Sequence, residues 1–396
     1  MTSRRQLLAA TLAGATLGTW SRLSVAAAPA ASNRRLVLLV LRGGMDGLTA
    51  VPAIGDPAFA EVRGGLAVFP SEPLKLDSTF ALNPLLPQMY AMYGRGELAV
   101  LHAVGLPYRE RSHFDAQQVL ESGGTRPHEL TTGWLGRALA GAGGLKAVAL
   151  ETAVPLVLRG PTEVDTWAPS ALPEPSADLV ARLEAMYRND AALSQALARA
   201  RGLREDSGMA ANPQEMGSGA NNAYGRKMAV ALATKAAEFL QRGSQVAVME
   251  MGGWDSHTNQ AAPNGATSNN LRTLDAALAA LREGLLPGNA WASTVVVVAT
   301  EFGRTVSVNG NQGTDHGTGG AAFVLGGAVR GGRVIADWPG LAAKDRFEGR
   351  DLRITTDLRA ALRGVLGEHL QVPRAMLDGS VLPGSAGIKP LDLLRV

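Results

Sequence analysis

The chain of 396 residues contains no cysteine. This absence excludes disulfides, thiolate nucleophiles and thiolate metal ligands, and it leaves histidine, aspartate and glutamate as the side chains able to hold a metal ion. Aromatic residues are also scarce, at 5% of the chain, and we interpret the six tryptophans as packing residues rather than as a sugar platform. Any metal chemistry must therefore come from six histidines and the carboxylates.

A strong charge excess is also lacking. The formal net charge is +3, but residues 1–31 hold Arg4, Arg5 and Arg22 and no acid, so the remainder carries no net charge. Without a basic excess we expect no nucleic-acid partner. With 46% hydrophobic residues, the chain is long enough to bury one large core or two modest ones.

The N-terminal apolar run is too short to cross a bilayer. It covers about fourteen residues, Leu7 to Trp20, against the roughly twenty that a membrane span needs. The pair Arg4 and Arg5 precedes it, and small residues follow at 25–31. This pattern predicts a cleavable twin-arginine signal peptide over residues 1–31, the twin-arginine export machinery as a partner, and a periplasmic or secreted protein. An uncleaved anchor and a basic cytosolic tail are the alternatives.

The remaining residues, 32–396, are predicted to form a single α/β domain with a large, mainly parallel sheet sandwiched between helices. Unbroken apolar and β-branched runs, typical of strands buried on both faces, alternate with helical segments, and no internal repeat interrupts them. A flexible loop is expected near residues 205–222, which are rich in Gly, Asn and Ser. The strand-like runs include Leu36–Leu41, Leu98–Leu101, Gln245–Met251 and the four valines Val295–Val298.

Ionisable side chains follow three of these strands. In open α/β sheets ligands bind at the carboxyl ends of the strands, and carboxylates with imidazoles can hold a metal ion there. The sequence therefore predicts one composite site, although a carboxylate in the first of these turns can equally satisfy turn amides. The side chains are Asp46, then Asp255 with His257, then Glu301, Arg304, Asp315 and His316.

A further candidate lies in the segment SHFDAQQVLE, where Ser112 and His113 occupy the start of a predicted helix. A hydroxyl at a helix N-terminus is well placed as a nucleophile, because free N–H groups stabilise a nearby oxyanion or phosphate. A serine followed by an acid three residues later is also typical of an N-cap. Both interpretations of Ser112 stay open at this point.

Five segments together resemble the alkaline phosphatase and sulfatase superfamily, and most of all its exported bacterial branch labelled domain of unknown function 1501. The resemblance implies a large parallel-centred sheet, a two-metal site at the strand ends and a Ser or Thr nucleophile at a helix N-terminus. The segments recur in the order of that branch from residue 36 to about residue 340: LRGGMDGL, RSHFDAQQVLESG, GGWDSH, TEFGRT and GTDHGTGG.

The resemblance also implies roles for single residues. Asp46 would be a metal ligand on the first strand, Ser112 the nucleophile, and His316 the late histidine ligand. Asp255 and His257 would hold one metal ion. Glu301 would take the place of the acid in an Asp-His pair.

Two departures from the superfamily pattern accompany these roles. A single residue separates Asp255 from His257, where the superfamily has three. Phe302 stands where the second member of the Asp-His pair would provide an imidazole, and His113 is the candidate to supply one instead.

These patterns suggest an exported hydrolase of phosphate or sulfate esters that depends on a divalent zinc, calcium, magnesium or manganese ion. Its substrate would be an anionic small molecule or glycan ester, held by Arg304, with Asp315 orienting His316. A non-catalytic periplasmic binding or assembly protein that keeps the fold is the main alternative. A metal-free Ser-His-Asp hydrolase lacks the expected G-x-S-x-G turn.

Overall fold

The computed structural model describes residues 33–169, 175–207 and 222–395. The predicted signal peptide lies outside the described residues, and so does most of the segment predicted as a flexible loop. Residues 205–207 of that segment instead form the end of a helix. Among the described helices, none is both long and apolar enough to cross a membrane.

Most of the strands belong to one large sheet. The strands in chain order are β1 (Arg35–Leu41), β2 (Leu74–Lys75), β3 (Ala81–Leu82), β4 (Leu98–Gly105), β5 (Ala147–Ala149), β6 (Val164–Thr166), β7 (Val246–Met251), β8 (Thr294–Thr300), β9 (Gly320–Leu325), β10 (Arg333–Ile335) and β11 (Thr356–Asp357).

In the described part of the chain, nine strands form one sheet in the order β10-β4-β9-β8-β1-β7-β5-β6, with β11 paired to β4. β1 lies at its centre and pairs in parallel with both β7 and β8. The carboxyl ends of these three strands therefore meet at one edge. β9 runs antiparallel to β4 and β8, so the start of β9 lies beside the end of β8.

The helices provide the apolar cover of the sheet. They are α1 (Gly47–Ala50), α2 (Phe59–Arg63), α3 (Pro87–Gly94), α4 (His113–Ser122), α5 (Trp134–Gly141), α6 (Ala177–Tyr187), α7 (Ala191–Ser207), α8 (Asn222–Gln241), α9 (Ala266–Leu285), α10 (Leu358–Gly364) and α11 (Arg374–Met376).

Alternate side chains of β1 enter two separate cores, as the period of two in a strand requires. Val37, Leu39 and Leu41 pack into a core that includes residues of α3, α8 and α9. Leu36 and Val40 enter a second core with residues of α4, α5 and α10. Both faces of the sheet are covered, which confirms the predicted sandwich of a mainly parallel sheet between helices.

Candidate metal centre

Three histidines and one aspartate from three separate segments of the chain meet at the carboxyl edge of the sheet. His113 is the first residue of α4, Asp255 and His257 follow β7, and His316 precedes β9. The Nε2 atom of His316 lies 3.0 Å from that of His113 and 3.2 Å from that of His257. We call these four residues the histidine cluster.

The Asp255 carboxylate reaches all three imidazoles. Its Oδ2 lies 3.4 Å from Nε2 of His113, and its Oδ1 lies 2.9 Å from Nε2 of His257 and 3.1 Å from Nε2 of His316. His113, Asp255 and His316 each place one ligand atom within 4.8 Å of the other two. Side chains separated by about two hundred residues of sequence thus form one compact donor set.

The second ring nitrogen of each histidine determines its tautomer. Each Nδ1 faces an oxygen that only accepts hydrogen bonds, so Nδ1 carries the proton and donates it. A neutral imidazole in that state presents a bare lone pair at Nε2. The pairs are His113 with Glu301 Oε1 at 2.7 Å, His257 with Asp315 Oδ1 at 3.2 Å, and His316 with the backbone oxygen of Arg111 at 3.2 Å.

This donor set fits a divalent metal ion. Three bare nitrogens and a carboxylate have no proton to share among themselves, so their approach is repulsive unless a cation or extra protons intervene. Donors bound to one zinc-sized ion at about 2.0–2.1 Å are roughly 3.3 Å apart in a tetrahedral arrangement. The contacts within the cluster span 2.9 to 3.4 Å. Imidazoles fixed by carboxylates and carbonyls behind them are also typical of metal sites.

Glu301 lies behind His113 and not beside the converging Nε2 atoms. Its Oε1 accepts hydrogen bonds from His113, from the backbone N–H of Gly43 at 2.8 Å and from Gln117 at 3.1 Å. Its Oε2 accepts one from Thr300 at 2.9 Å. Burial acts to raise the pKa of Glu301, but these donors outweigh it and lower the pKa to about 2. The charged carboxylate therefore orients an imidazole, a role that the sequence did not suggest for it.

Asp315 makes a similar contact, but to a different histidine from the one expected. It accepts the Nδ1–H of His257, whereas His316 donates to the backbone of Arg111. Burial acts to raise the pKa of Asp315, but hydrogen bonds from Asn309 and His257 lower it overall. The sequence prediction that Asp315 orients His316 is therefore corrected in favour of His257.

The protonation equilibria of two histidines in the cluster shift in opposite directions. The hydrogen bond to Glu301 raises the pKa of His113. Burial lowers the pKa of His316, and the nearby Arg304 adds to this effect. For Asp255, burial acts to raise the pKa, but the hydrogen bond from Arg304 and the adjacent imidazole of His316 leave it well below its ordinary value. The cluster is therefore arranged around an ionised aspartate.

Arg304 is buried beneath the cluster and does not project into solvent. Its side chain is 0% exposed, and its Nη2 lies 2.7 Å from Asp255 Oδ1. The guanidinium also donates to the backbone oxygens of Gly43, Gly44 and Trp254, at 2.5, 2.7 and 3.1 Å. With these N–H groups taken up, the expectation that Arg304 grips an anionic substrate does not fit its position.

Asp46 makes contacts different from those expected of a metal ligand. Its Oδ1 accepts hydrogen bonds from the backbone N–H groups of Leu48 and Thr49, so it caps α1. Its Oδ2 pairs with Arg63, whose side chain is fully buried, and accepts from the Thr49 hydroxyl. The carboxylate is thus saturated by protein donors. This is the turn-satisfying alternative that the sequence left open, and Arg63 is a partner that sequence reasoning missed.

Ser112 occupies the N-cap position of α4, as its sequence context indicated. Its side chain makes no capping hydrogen bond to the helix, and it interacts instead with the Tyr108 hydroxyl. The capping role, one of the two interpretations that the sequence left open, is therefore not performed by the hydroxyl. Ser112 directly precedes His113, which places it next to the cluster along the chain.

Glycines allow the loops to approach each other closely. Gly43 has φ +118°, and a Cβ there would collide with the backbone nitrogen of Asp255. Gly303 faces the backbone oxygen of Gly319, and Arg304 forms an antiparallel bridge with His316. The segments after β8 and before β9 therefore form a hairpin-like pair whose spacing depends on Gly303. We call residues 301–319 the β8–β9 loop.

Comparisons with solved structures return similar folds at low identity. The phosphonate monoester hydrolase of Agrobacterium radiobacter is 13% identical, with 91% of this chain and 79% of that chain covered and a TM-score of 0.44. The PsFucS1 sulfatase from Pseudoalteromonas sp. is 12% identical, with 91% and 70% covered and a TM-score of 0.44. The lipoteichoic acid synthase LtaP from Listeria monocytogenes is 10% identical, with 89% and 76% covered and a TM-score of 0.41. These matches are too distant to support an argument about activity.

Sequence comparison gives a firmer result. Among curated proteins, none matches this sequence. The family described as "Protein of unknown function (DUF1501)" matches residues 91–378, which is well over half of the chain. The match includes every residue of the histidine cluster but not the LRGGMDGL segment. The chain therefore belongs to the DUF1501 family, as the resemblance in its sequence motifs indicated.

Proposed function

We propose that this protein is an exported, metal-dependent hydrolase of phosphate or sulfate esters. One observation supports the metal centre above all: three imidazoles, each with its Nδ1 facing a hydrogen-bond acceptor, direct their Nε2 atoms toward one another and toward Asp255. The proposed ligands are His113, Asp255 and His316, with His257 as an adjacent donor. An imidazole-rich set favours zinc or another transition metal over calcium or magnesium.

A divalent ion bound here supplies Lewis-acid stabilisation of the negative charge on an ester substrate. The chain's own residues fix the donors for it. Glu301 holds His113 and Asp315 holds His257, so each ring is oriented before an ion arrives. Arg304 holds the Asp255 carboxylate in its ionised form.

Ser112 is the proposed nucleophile. Its hydroxyl is not used in capping α4, and the first turn of that ten-residue helix has N–H groups able to stabilise an anion. In the proposed reaction, a bond forms between the Ser112 oxygen and phosphorus or sulfur, the bond to the alcohol oxygen breaks, and the hydroxyl proton leaves with the alcohol. The oxygen of a water molecule then bonds to phosphorus or sulfur, the bond to the serine oxygen breaks, and a proton of that water returns to Ser112 as phosphate or sulfate departs.

The anionic part of the substrate requires a cation other than the buried Arg304. Arg350 is placed for this role, since its Nη2 donates to the backbone oxygen of His316 at 2.9 Å while its side chain is 42% exposed. We propose that it meets the phosphate or sulfate group of an anionic small-molecule or glycan ester. Export by the twin-arginine route remains part of the proposal, based on the motif around Arg4 and Arg5.

The metal centre is tested by elemental analysis of the purified protein and of a His316→Ala variant. We expect bound divalent metal in the wild type and at least a tenfold weaker affinity in the variant, because one proposed ligand is lost. The exposed His128, whose side chain pairs only loosely with Asp115 at 3.6 Å, provides the matched control as His128→Ala. Metal-free wild-type protein that shows no thermal shift with added zinc or manganese would contradict the metal centre.

The chemistry is tested separately, with aryl phosphates and aryl sulfates as substrates. We expect metal-dependent turnover that falls at least a hundredfold in Ser112→Ala, with metal content unchanged. Metal binding without turnover of any ester would favour the alternative, a periplasmic binding or assembly protein that keeps the metal centre. Turnover unaffected by Ser112→Ala would instead point to a water nucleophile.

A further inference from the structure

The charged side chain of Arg304 is fully buried in the site. Its guanidinium contacts four backbone oxygens, three from the loops that follow β1 and β7 and that of Thr314, in the β8–β9 loop, at 3.4 Å. Gly44 makes room for it: φ is +69° there, and a Cβ would lie 2.7 Å from the Phe302 ring and 3.3 Å from Nε of Arg304. If the guanidinium moved away, these buried carbonyl oxygens would lose their hydrogen-bond donors. Its positive charge is therefore a fixed part of the site.

The same guanidinium contacts two atoms that are also able to bind a metal ion. Its Nη2 lies 2.7 Å from Asp255 Oδ1, and its Nη1 lies 3.4 Å from Nε2 of His257. Because His257 carries its proton on Nδ1, an N–H of Arg304 is directed at the bare Nε2. His257 also falls outside the trio whose ligand atoms lie within 4.8 Å of one another. On the side of Asp255 and His257, the donor set is therefore already in contact with the positive charge of Arg304.

We propose that Arg304 takes the place of a second metal ion, so that the histidine cluster binds one divalent ion through His113, Asp255 and His316. Asp255 then lies between two cations, the ion and the guanidinium. His257 pairs with the guanidinium. This inference rests on the metal centre of the proposed function, and it departs from the two-metal site that the sequence resemblance implies.

Charge balance supports a single ion. The site contains three carboxylates, those of Asp255, Glu301 and Asp315, and one buried guanidinium, which leaves two negative charges. One divalent ion neutralises them, whereas two ions would leave an excess of two positive charges in a partly buried site. The adjacent ionic group is neutral in sum and does not alter this balance; it comprises Arg111, Arg350, Glu348 and Asp351.

The stoichiometry of metal binding tests the proposal. Metal-free full-length protein is titrated with zinc and, separately, with manganese, and bound ions are counted by native mass spectrometry and elemental analysis. We expect one ion per chain in the wild type and in Arg304→Lys, which keeps the positive charge. We expect two bound ions per chain in Arg304→Ala, because the substitution opens the space beside Asp255 and His257. Addition of millimolar guanidinium should return the count to one ion per chain.

The control is Arg330→Ala, which removes an exposed arginine that pairs with Asp392. This variant should still bind one ion per chain. Two ions in the wild type would overturn this inference but leave the proposed function standing. No ion in the wild type would overturn both. A single ion in folded Arg304→Ala would also overturn it, and if that variant fails to fold, the counts for wild type and Arg304→Lys decide.

Discussion

At the scale of single residues, the candidate metal centre depends on which atoms of each side chain already have a hydrogen-bond or ion-pair partner. Glu301 and Asp46 are both buried carboxylates that follow a central strand, yet their partners give them different tasks. Glu301 holds the ring of His113, whereas Asp46 joins the first turn to Arg63. Arg63 in turn donates to the backbone oxygens of Thr305 and Val306, at the start of the β8–β9 loop. Asp46 therefore supports the site indirectly, because it holds the arginine that contacts the start of the β8–β9 loop.

This assignment predicts that Asp46→Asn destabilises the protein without removing the metal. Breaking a buried ion pair leaves the Arg63 charge uncompensated, so the free energy of unfolding should fall by about 3 kcal/mol. Asp392→Asn, which breaks the exposed pair with Arg330, should change it by less than about 1 kcal/mol. Denaturant unfolding and a zinc titration measure both quantities. Loss of metal binding in folded Asp46→Asn would restore the role implied by the sequence resemblance.

At the scale of elements, the antiparallel direction of β9 brings the late histidine into the site. β8 delivers Glu301 and Arg304 at its carboxyl end, and the chain returns through the β8–β9 loop to place His316 before β9 starts. The two arms are joined by hydrogen bonds from Gly303 N to Thr318 O and from Gly317 N to Gly303 O, both 2.9 Å long. The close pairing of these arms sets the distance between Arg304 and His316.

Gly303→Ala is expected to disturb both stability and metal binding. The added Cβ would collide with the backbone oxygen of Gly319, so the arms must separate, at a cost of about 1–3 kcal/mol. Zinc affinity should fall at least tenfold, because His316 moves with its arm. Gly310→Ala is the matched control in the same loop, since a Cβ there meets nothing within 4 Å. Equal effects of the two substitutions in thermal unfolding and zinc titration would contradict the role of Gly303.

At the scale of the whole molecule, folding buries a histidine that the site does not use. His102 lies within β4, fully buried, with Nε2 3.0 Å from the backbone oxygen of Val51. Its Nδ1 accepts the N–H of Ala103 at 2.8 Å, and the rings of Phe80 and Trp338 each lie 5.0 Å from its ring. Burial lowers the pKa of His102 from its ordinary 6.5 to about 4, so the ring is neutral in the folded protein.

The consequence is a loss of stability in mild acid. Between about pH 6.5 and pH 4 the unfolded chain binds a proton at this position that the folded chain does not, so the free energy of unfolding falls as the pH falls. The contribution reaches at most about 3 kcal/mol near pH 4. In His102→Gln the amide N–H can replace the hydrogen bond to Val51, and the side chain does not titrate. Denaturant unfolding at several pH values should show the wild type losing stability more steeply, and parallel curves would contradict the assignment.

The sheet, and the edge of it at which the site lies, follow from the amino-acid sequence alone. Unbroken apolar runs such as Leu36–Leu41 and Val295–Val298 require burial on both faces, and polar residues directly after them must then emerge at the strand ends. These patterns point to Asp255, His257 and His316 from the sequence alone. Local patterns suffice here because the apolar run that requires burial lies within the sequence of the strand itself.

The partner of each individual atom, by contrast, follows only from the folded chain. Whether Glu301 faces an ion or the back of His113 depends on a residue 188 positions away. Whether Arg304 is free for substrate depends on carbonyls of two other loops, and the link between Asp46 and Arg63 has no spacing signal. Such partners are chosen by packing between distant segments, where the need to satisfy every buried charge determines the final arrangement.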